Sequence, residues 1–291
     1  MKFSFIENHR SEFPVEKMCK VLGVSRSGFY KWLTAEPSQQ ALQKAKIQER
    51  LTFHFYDCSK RYGSPKLTHL LHQEGFNTTE RTVTNYMKEL GLRSCVSRKF
   101  KVQTTDSNHD YPIAPNILNQ QFTAEKPNQV WVADITYIAC REGRLYLASL
   151  LDLYTREIVG WRLGHRMTTE LVMGALEDAY AKKEPEEGLL HHSDRGSQYA
   201  SEDYRKQLET YKMRASMSRK GNCYDNACME SFHSLLKKEL VYCTTFRTKE
   251  QAKQAIFEYI ELFYNRKRIH GSLGYMTPVQ FSEQFYKRET L

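Results

Sequence analysis

The 291-residue chain reads as an α/β domain preceded by small all-α modules, and two patterns predict this. Up to residue 91, apolar side chains recur at three-to-four spacing between Gly, Pro and Ser/Thr breaks, the period of short helices. From residue 130 onward, three apolar runs rich in Val, Ile, Leu and aromatics follow one another across short turns, as strands do.

Residues 14–33 predict a helix-turn-helix within a first module, residues 1–36. Pro14 starts a helix in which Val15, Met18, Cys19 and Leu22 share a face, and Gly23 ends it. Ser25 caps a second helix, which turns Phe29 and Leu33 inward and leaves Arg26, Ser27, Tyr30 and Lys31 outside. In a helix-turn-helix the first residues of the second helix meet base edges or phosphates; the other reading is a plain helical hairpin that binds no DNA. A second module, residues 37–91, opens with a long helix from about Gln39 to Cys58. A helix pair follows. Ser64 is read as the cap and Pro65 as the first turn of one helix, closed by Gly75; Thr79 caps the other, closed by Gly91. Arg81, Thr82, Asn85 and Lys88 give it a polar outer face, with Arg81 and Asn85 as the candidate DNA contacts. Between residues 92 and 125 periodicity disappears, which predicts a linker carrying the basic run Arg98-Lys99 and Lys101, either a passive tether or a strap along a DNA backbone.

The last domain, residues 126–291, opens with VWVADITYIA, a turn at Arg141-Glu142-Gly143, then LYLASLLDLY and REIVGWRL. TTELVMGALEDAYAKK is an amphipathic helix, and GLLHHS and MRASMS are short strands. Three antiparallel strands, a helix and further strands, with helices to follow, describe an α/β sheet of the ribonuclease H type. Trp131 and Tyr137 are expected in its core.

The chain carries a formal charge of +9 and a pI near 9.1, which favours a polyanionic partner. The excess is uneven: residues 1–128 hold 19 Lys+Arg against 12 Asp+Glu, the remainder 24 against 22. The basic surplus therefore sits with the helical modules. Seven cysteines without a CxxC pair argue against a zinc site and for reduced thiols in a cytosolic protein. No stretch approaches the roughly 18 apolar residues of a membrane span, so no membrane partner is expected.

Three acids suggest the chemistry. Asp134 interrupts an apolar strand, Asp194 follows one in HHSDRGSQY, and Glu230 lies in the helix-like NCYDNACMESFHSLLKKEL. A carboxylate in an apolar strand is costly unless it is paired or bound to a cation. Carboxylates brought from three elements suit hard divalent metals, and two such ions promote phosphodiester displacement. Asp152 and Asp225 are rivals; the first reads as a turn residue at a strand end, the second as a helix cap. Asn226, Glu230, His233 and Lys237 fall on one helix face, which puts Lys237 near whatever the acids bind. His191 and His192 point to opposite faces of a strand, so they do not share one ion; one is expected to pack and the other to lie near the DNA or the active site.

The order and spacing of the acids resemble those of DDE transposases and retroviral-type integrases. HHSDRGSQY, YNRKRIHGSLGYMTPVQF, RYGSPKLTHLL and the opening MKFSFIENHRSEFPVEKMCKVLGVSRSGFYKWL resemble the second-reading-frame subunit of the insertion-sequence-3 family of bacterial transposases. The resemblance implies an integrase-type catalytic core in which Asp134, Asp194 and Glu230 hold two Mg²⁺ ions, with Mn²⁺ as a substitute. It implies nicking at a 3′ end followed by strand transfer. Double-stranded DNA is the expected partner. From the residues themselves, Arg195 is a candidate phosphate contact, and Lys237 and the run with Arg266, Arg268 and His270 are either DNA contacts or solvated charges on a helix face and a loop. A homo-oligomer on DNA, an upstream-frame helix-turn-helix partner and residence on the bacterial nucleoid in the cytoplasm are implied as well. Two other readings are a DNA-binding regulator without catalysis and a ribonuclease H-type nuclease. The first leaves the three acids without a task; the second leaves the two helical modules without one.

Overall fold

The computed structural model describes residues 1–95 and 111–289; Arg98, Lys99 and Lys101 lie outside the described residues. Helices α1 (Lys2–Asn8), α2 (Val15–Leu22) and α3 (Arg26–Leu33) close around Ile6, Met18, Cys19 and Phe29. Gly23 ends α2 at φ +60°, a left-handed turn that a side chain would strain, and Ser25 Oγ accepts from the Gly28 amide at 3.0 Å. The sequence reading did not foresee α1. Its fully buried Ile6 seals a core that two helices leave open.

Helices α4 (Gln39–Asp57), α5 (Ser64–Gln73) and α6 (Glu80–Glu89) follow. Thr79 caps α6 as expected, accepting from Thr82 N at 3.2 Å. Ser64 does not cap α5: Gly63 holds that position, and the Ser64 hydroxyl reaches Glu80 instead, at 3.2 Å.

The last domain is built on a five-stranded sheet in the order β3-β2-β1-β4-β5, from β1 (Val130–Cys140), β2 (Gly143–Asp152), β3 (Ile158–Gly164), β4 (Leu190–Ser193) and β5 (Arg214–Met217). The first three are antiparallel, and β4 and β5 run parallel to β1 and to each other. Alternation along β1 sends Trp131 and Ala133 to one face, under α7 (Thr169–Lys183), α8 (Ser197–Ala200) and α9 (Glu202–Thr210). Val130, Val132 and Ile138 go to the other, under α10 (Ala227–Glu239) and α11 (Lys249–Phe257). Asp134 shares that second face. Gly160 lets α7 sit hard against β3, since a Cβ there would stand 2.3 Å from the Ala175 carbonyl oxygen.

Two features depart from the sequence reading. Residues 114–122, assigned to the linker, are docked on the sheet: the Ile117 and Leu118 amides donate to Ser216 Oγ at 2.9 and 3.2 Å, and Leu118 is buried. After α11 comes a π-helical turn, Glu258–Tyr264, and then Asn265, whose amide brackets the backbone of Ile158 on the edge strand. Helix α12 (Pro278–Glu289) closes the described chain. The helices α4–α6 are not a separate bead. Leu51, Phe55, Leu67, Leu71 and Val83 belong to the same buried cluster as Phe232, Leu236 and Ile260. Tyr62 OH donates to the Lys267 carbonyl and accepts from the Ile269 amide, Arg61 Nε donates to the Glu239 carbonyl, and Lys267 meets Asp57 at 2.7 Å.

Candidate active site

The polar face of α10 lies against β1 at Asp134. Asn226, at the start of α10, donates Nδ2 to the Ala133 carbonyl at 3.0 Å. Two turns on, His233 Nδ1 stands 3.4 Å from Asp134 Oδ2, and its Nε2 meets Ser149 Oγ at 3.0 Å. Glu230 lies between them on the same face. Burial pushes the Glu230 carboxyl up from its ordinary pKa, and the Asp134 charge adds to that push. Lys237 is lowered by burial and partly restored by Asp134; its ammonium lies 4.8 Å from the centre of the Tyr137 ring.

Asp134 is fixed by its own neighbour, as Oδ1 accepts from Ile135 N at 2.8 Å. Asp194, directly after β4, accepts from Gly196 N at 2.9 Å. Both acids act on the buried Tyr199 hydroxyl, whose pKa is raised first by burial, then by Tyr204, Asp134 and Asp194. The adjacency of β1 and β4 brings the two aspartates to one end of the sheet. Among the described residues, no three His, Cys, Asp or Glu side chains close into a preformed metal cage. The donors on offer are hard oxygens. The buried Asn226 Oδ1, one turn before Glu230, has no hydrogen-bond donor among the described residues and adds another.

The rival acids have structural tasks. Asp152 is buried and accepts from the Thr155 amide and hydroxyl and from the Asn128 amide, at 2.7 to 2.8 Å, so it ties a turn. Asp225 does not cap α10, a place that Asn226 takes. The Arg219 guanidinium holds its carboxyl well below the usual carboxylate range, and Asn116 and Gln120 also donate to it. It thereby ties the turn before α10 to residues 114–122.

The candidate DNA contacts separate by exposure. Arg26, Ser27, Tyr30 and Lys31 line the open side of α3, Arg81 and Asn85 that of α6, and Arg266 is also exposed. Arg195 Nε donates to the Ser218 carbonyl at 2.6 Å. Arg268 and His270 are a correction. Arg268 is buried against Glu239 at 2.9 Å, and His270 is buried beside it, because the guanidinium neutralises an acid inside the core. They are unavailable to DNA. His191 and His192 do face opposite ways, but both are buried: His191 on Tyr204 OH, His192 between Ser216 and Ser218. Tyr137 is only half-buried, where a core position was expected. Ser149 was missed by the sequence reading, although the β1–β2 hairpin register places it directly opposite Asp134.

A mixed sheet in this strand order, with acids on its first strand, after its fourth and on the helix crossing them, defines the ribonuclease H-like class of integrases and transposases. Models of the integrase core domain match residues 124–223 and 230–285, and a model of the HTH-like domain matches residues 39–100. The chain is 46% identical to the insertion element IS600 uncharacterized 31 kDa protein of Shigella sonnei over 93% of its own length and 99% of that protein's. It is 40% identical to the transposase InsF for insertion sequence IS3A of Escherichia coli, over 98% of this chain and 99% of that one. The chain belongs to this IS3 family of insertion-sequence transposases. Looser likenesses in solved structures are the simian T-cell lymphotropic virus intasome (TM-score 0.47, 16% identity, 80% of this chain and 74% of that one) and the HTLV-2 integrase catalytic core with magnesium (TM-score 0.43, 16% identity, 55% and 99%).

Proposed function

We propose that this chain moves an insertion sequence by cutting at its 3′ ends and joining them to DNA, with Asp134, Asp194 and Glu230 as the carboxylates of the active centre. The observation that carries the reading is the convergence of an acid from β1 and an acid from α10, close enough for one charge to shift the other's titration, at the sheet end where β4 delivers the third. These three would hold divalent ions, Mg²⁺ with Mn²⁺ as a substitute. Two such ions, when bound, activate the attacking oxygen and stabilise the leaving one. Cutting exchanges a phosphodiester P–O bond for one to water, and joining exchanges it for one to the 3′ hydroxyl. Neither step needs a covalent enzyme intermediate, so no activated Ser, Tyr or Cys is required.

The other residues bind and orient. Lys237 supplies a charge beside the acids for a phosphate or the terminal base. The exposed faces of α3 and α6 read the ends, where Arg26, Ser27, Tyr30 and Lys31, and Arg81 and Asn85, meet bases or phosphates. Arg195 and Arg266 add backbone contacts. An element has two ends, so a homo-oligomer is the working form; an upstream-frame helix-turn-helix partner rests on the family resemblance alone. Among the described residues no helix is long and apolar enough to cross a membrane.

The test is metal-dependent joining of a labelled element end. Asp134→Asn, Asp194→Asn and Glu230→Gln should each lower the rate by several orders of magnitude while end binding stays nearly intact. Near-normal joining by any one of them removes that residue from the assignment.

A further inference from the structure

We propose that His233 is a positioning residue that sets the Asp134 carboxylate for metal binding, and that Ser149 orients the imidazole for this purpose. The proposal rests on the reading of Asp134 as a metal-binding acid. His233 is 6% exposed and lies where three elements meet: it belongs to α10, Asp134 to β1 and Ser149 to β2. Asp134 and Ser149 are direct cross-strand partners, so their side chains leave the sheet side by side on the face that α10 covers. The imidazole spans the pair.

The donor and acceptor inventory fixes the arrangement. An ionised carboxylate only accepts, so the nitrogen facing Asp134, Nδ1, carries the proton. In the neutral ring Nε2 is then an acceptor, and Ser149 Oγ, 3.0 Å away, donates to it. At 3.4 Å the Asp134 contact is a few tenths of an ångström longer than a closed hydrogen bond, a gap that a small turn of the carboxylate removes. Both ring nitrogens are thus committed, so His233 is not a metal ligand itself. Its work is to hold Asp134 Oδ2 from behind while Ile135 N holds Oδ1. Asn226 assists one helix segment earlier by pinning the Ala133 carbonyl to α10. Glu230 lies between these two contacts on the same helix face, so the pair also sets its distance from Asp134. A histidine or amide that braces a metal-binding carboxylate from outside the coordination shell typically accounts for about 10–100-fold in metal affinity or activity.

Two near-isosteric substitutions separate the two ends of the ring. Asn places its amide nitrogen where Nδ1 sits and retains a donor for Asp134. Gln reaches where Nε2 sits and retains only the Ser149 side. Mn²⁺ affinity of the full chain, read from the free-ion electron paramagnetic resonance signal without DNA, should fall about tenfold or more in His233→Gln and much less in His233→Asn. Ser149→Ala should fall between them. Melting temperatures of the two His233 variants should agree closely, since both bury a similar amide. Equal Mn²⁺ affinities in the Asn and Gln variants, whether both normal or both lost, overturn the proposal in favour of a packing role. Asp134→Asn is the control: if Mn²⁺ binding survives that change, the assignment of Asp134 fails first and the proposal falls with it.

Discussion

At the scale of single residues, Lys237 gives the sharpest contrast. Seven positions after Glu230 it returns to the same helix face, since seven residues turn a helix by about 700°. Its ammonium is partly desolvated, over the Tyr137 ring and within reach of the Asp134 charge. Lys238 is about 100° further round. Lys237→Ala should therefore slow strand transfer at least tenfold with little change in melting temperature, and Lys238→Ala should do much less. Equal joining rates in the two variants would replace a directed contact with a general basic face. The same α10 periodicity made Asn226, Glu230, His233 and Lys237 legible as one stripe, because helical spacing is local. Ser149 was not legible. Finding it needs the hairpin register, and reading the turn as the three residues 141–143, where the chain turns on Arg141 and Glu142 and pairs Gly143 with Cys140, shifts that register by one.

At the scale of elements, the strands and most helices follow from periods of two and of three-to-four that the chain displays openly. The segment YNRKRIH was misread for a physical reason. Three basic side chains in a row look solvated, and nothing nearby in sequence announces that Glu239, 29 positions earlier, waits inside the core for Arg268. Asn265 serves the edge strand and Arg268 the end of α10, so this segment fastens the helices to the sheet. Arg268→Ala leaves the Glu239 carboxylate buried without its cation, with Tyr259 OH still donating to it. A loss of about 3–5 kcal/mol in unfolding free energy is expected, measured by urea titration. Loss of DNA binding with unchanged stability would reinstate Arg268 as a contact.

At the scale of the whole molecule, acid should loosen the fold before the carboxylates titrate. Burial pushes the His191 pKa down to about 3, and burial together with Arg268, Lys66 and Arg156 pushes His270 well down. Unfolding releases both to their ordinary value near 6.5. Below that pH the unfolded chain binds protons that the folded chain refuses, so this contribution to stability is present above pH 6.5 and lost as pH falls. Each such histidine costs about 1.4 kcal/mol per pH unit in that range. The urea midpoint should drop between pH 7 and pH 5, and His270→Gln should flatten the slope. A pH-independent midpoint would mean these rings are solvated.

The docking of α4–α6 onto the catalytic domain turns the molecule into a caliper. With Tyr62, Arg61 and Asp57 fastened to the Lys267–Ile269 segment and to the end of α10, one jaw is the exposed face of α6, proposed above to read the ends, and the other is the proposed cluster of metal-binding acids. The span between them is set by a packed core, whereas α1–α3 close around a core of their own. Cleavage should then be gauged from the bases under α6: inserting two or three base pairs between that stretch and the scissile phosphate should abolish cutting rather than relocate it. Cutting that follows the shifted end at an unchanged rate would mean that the jaws slide.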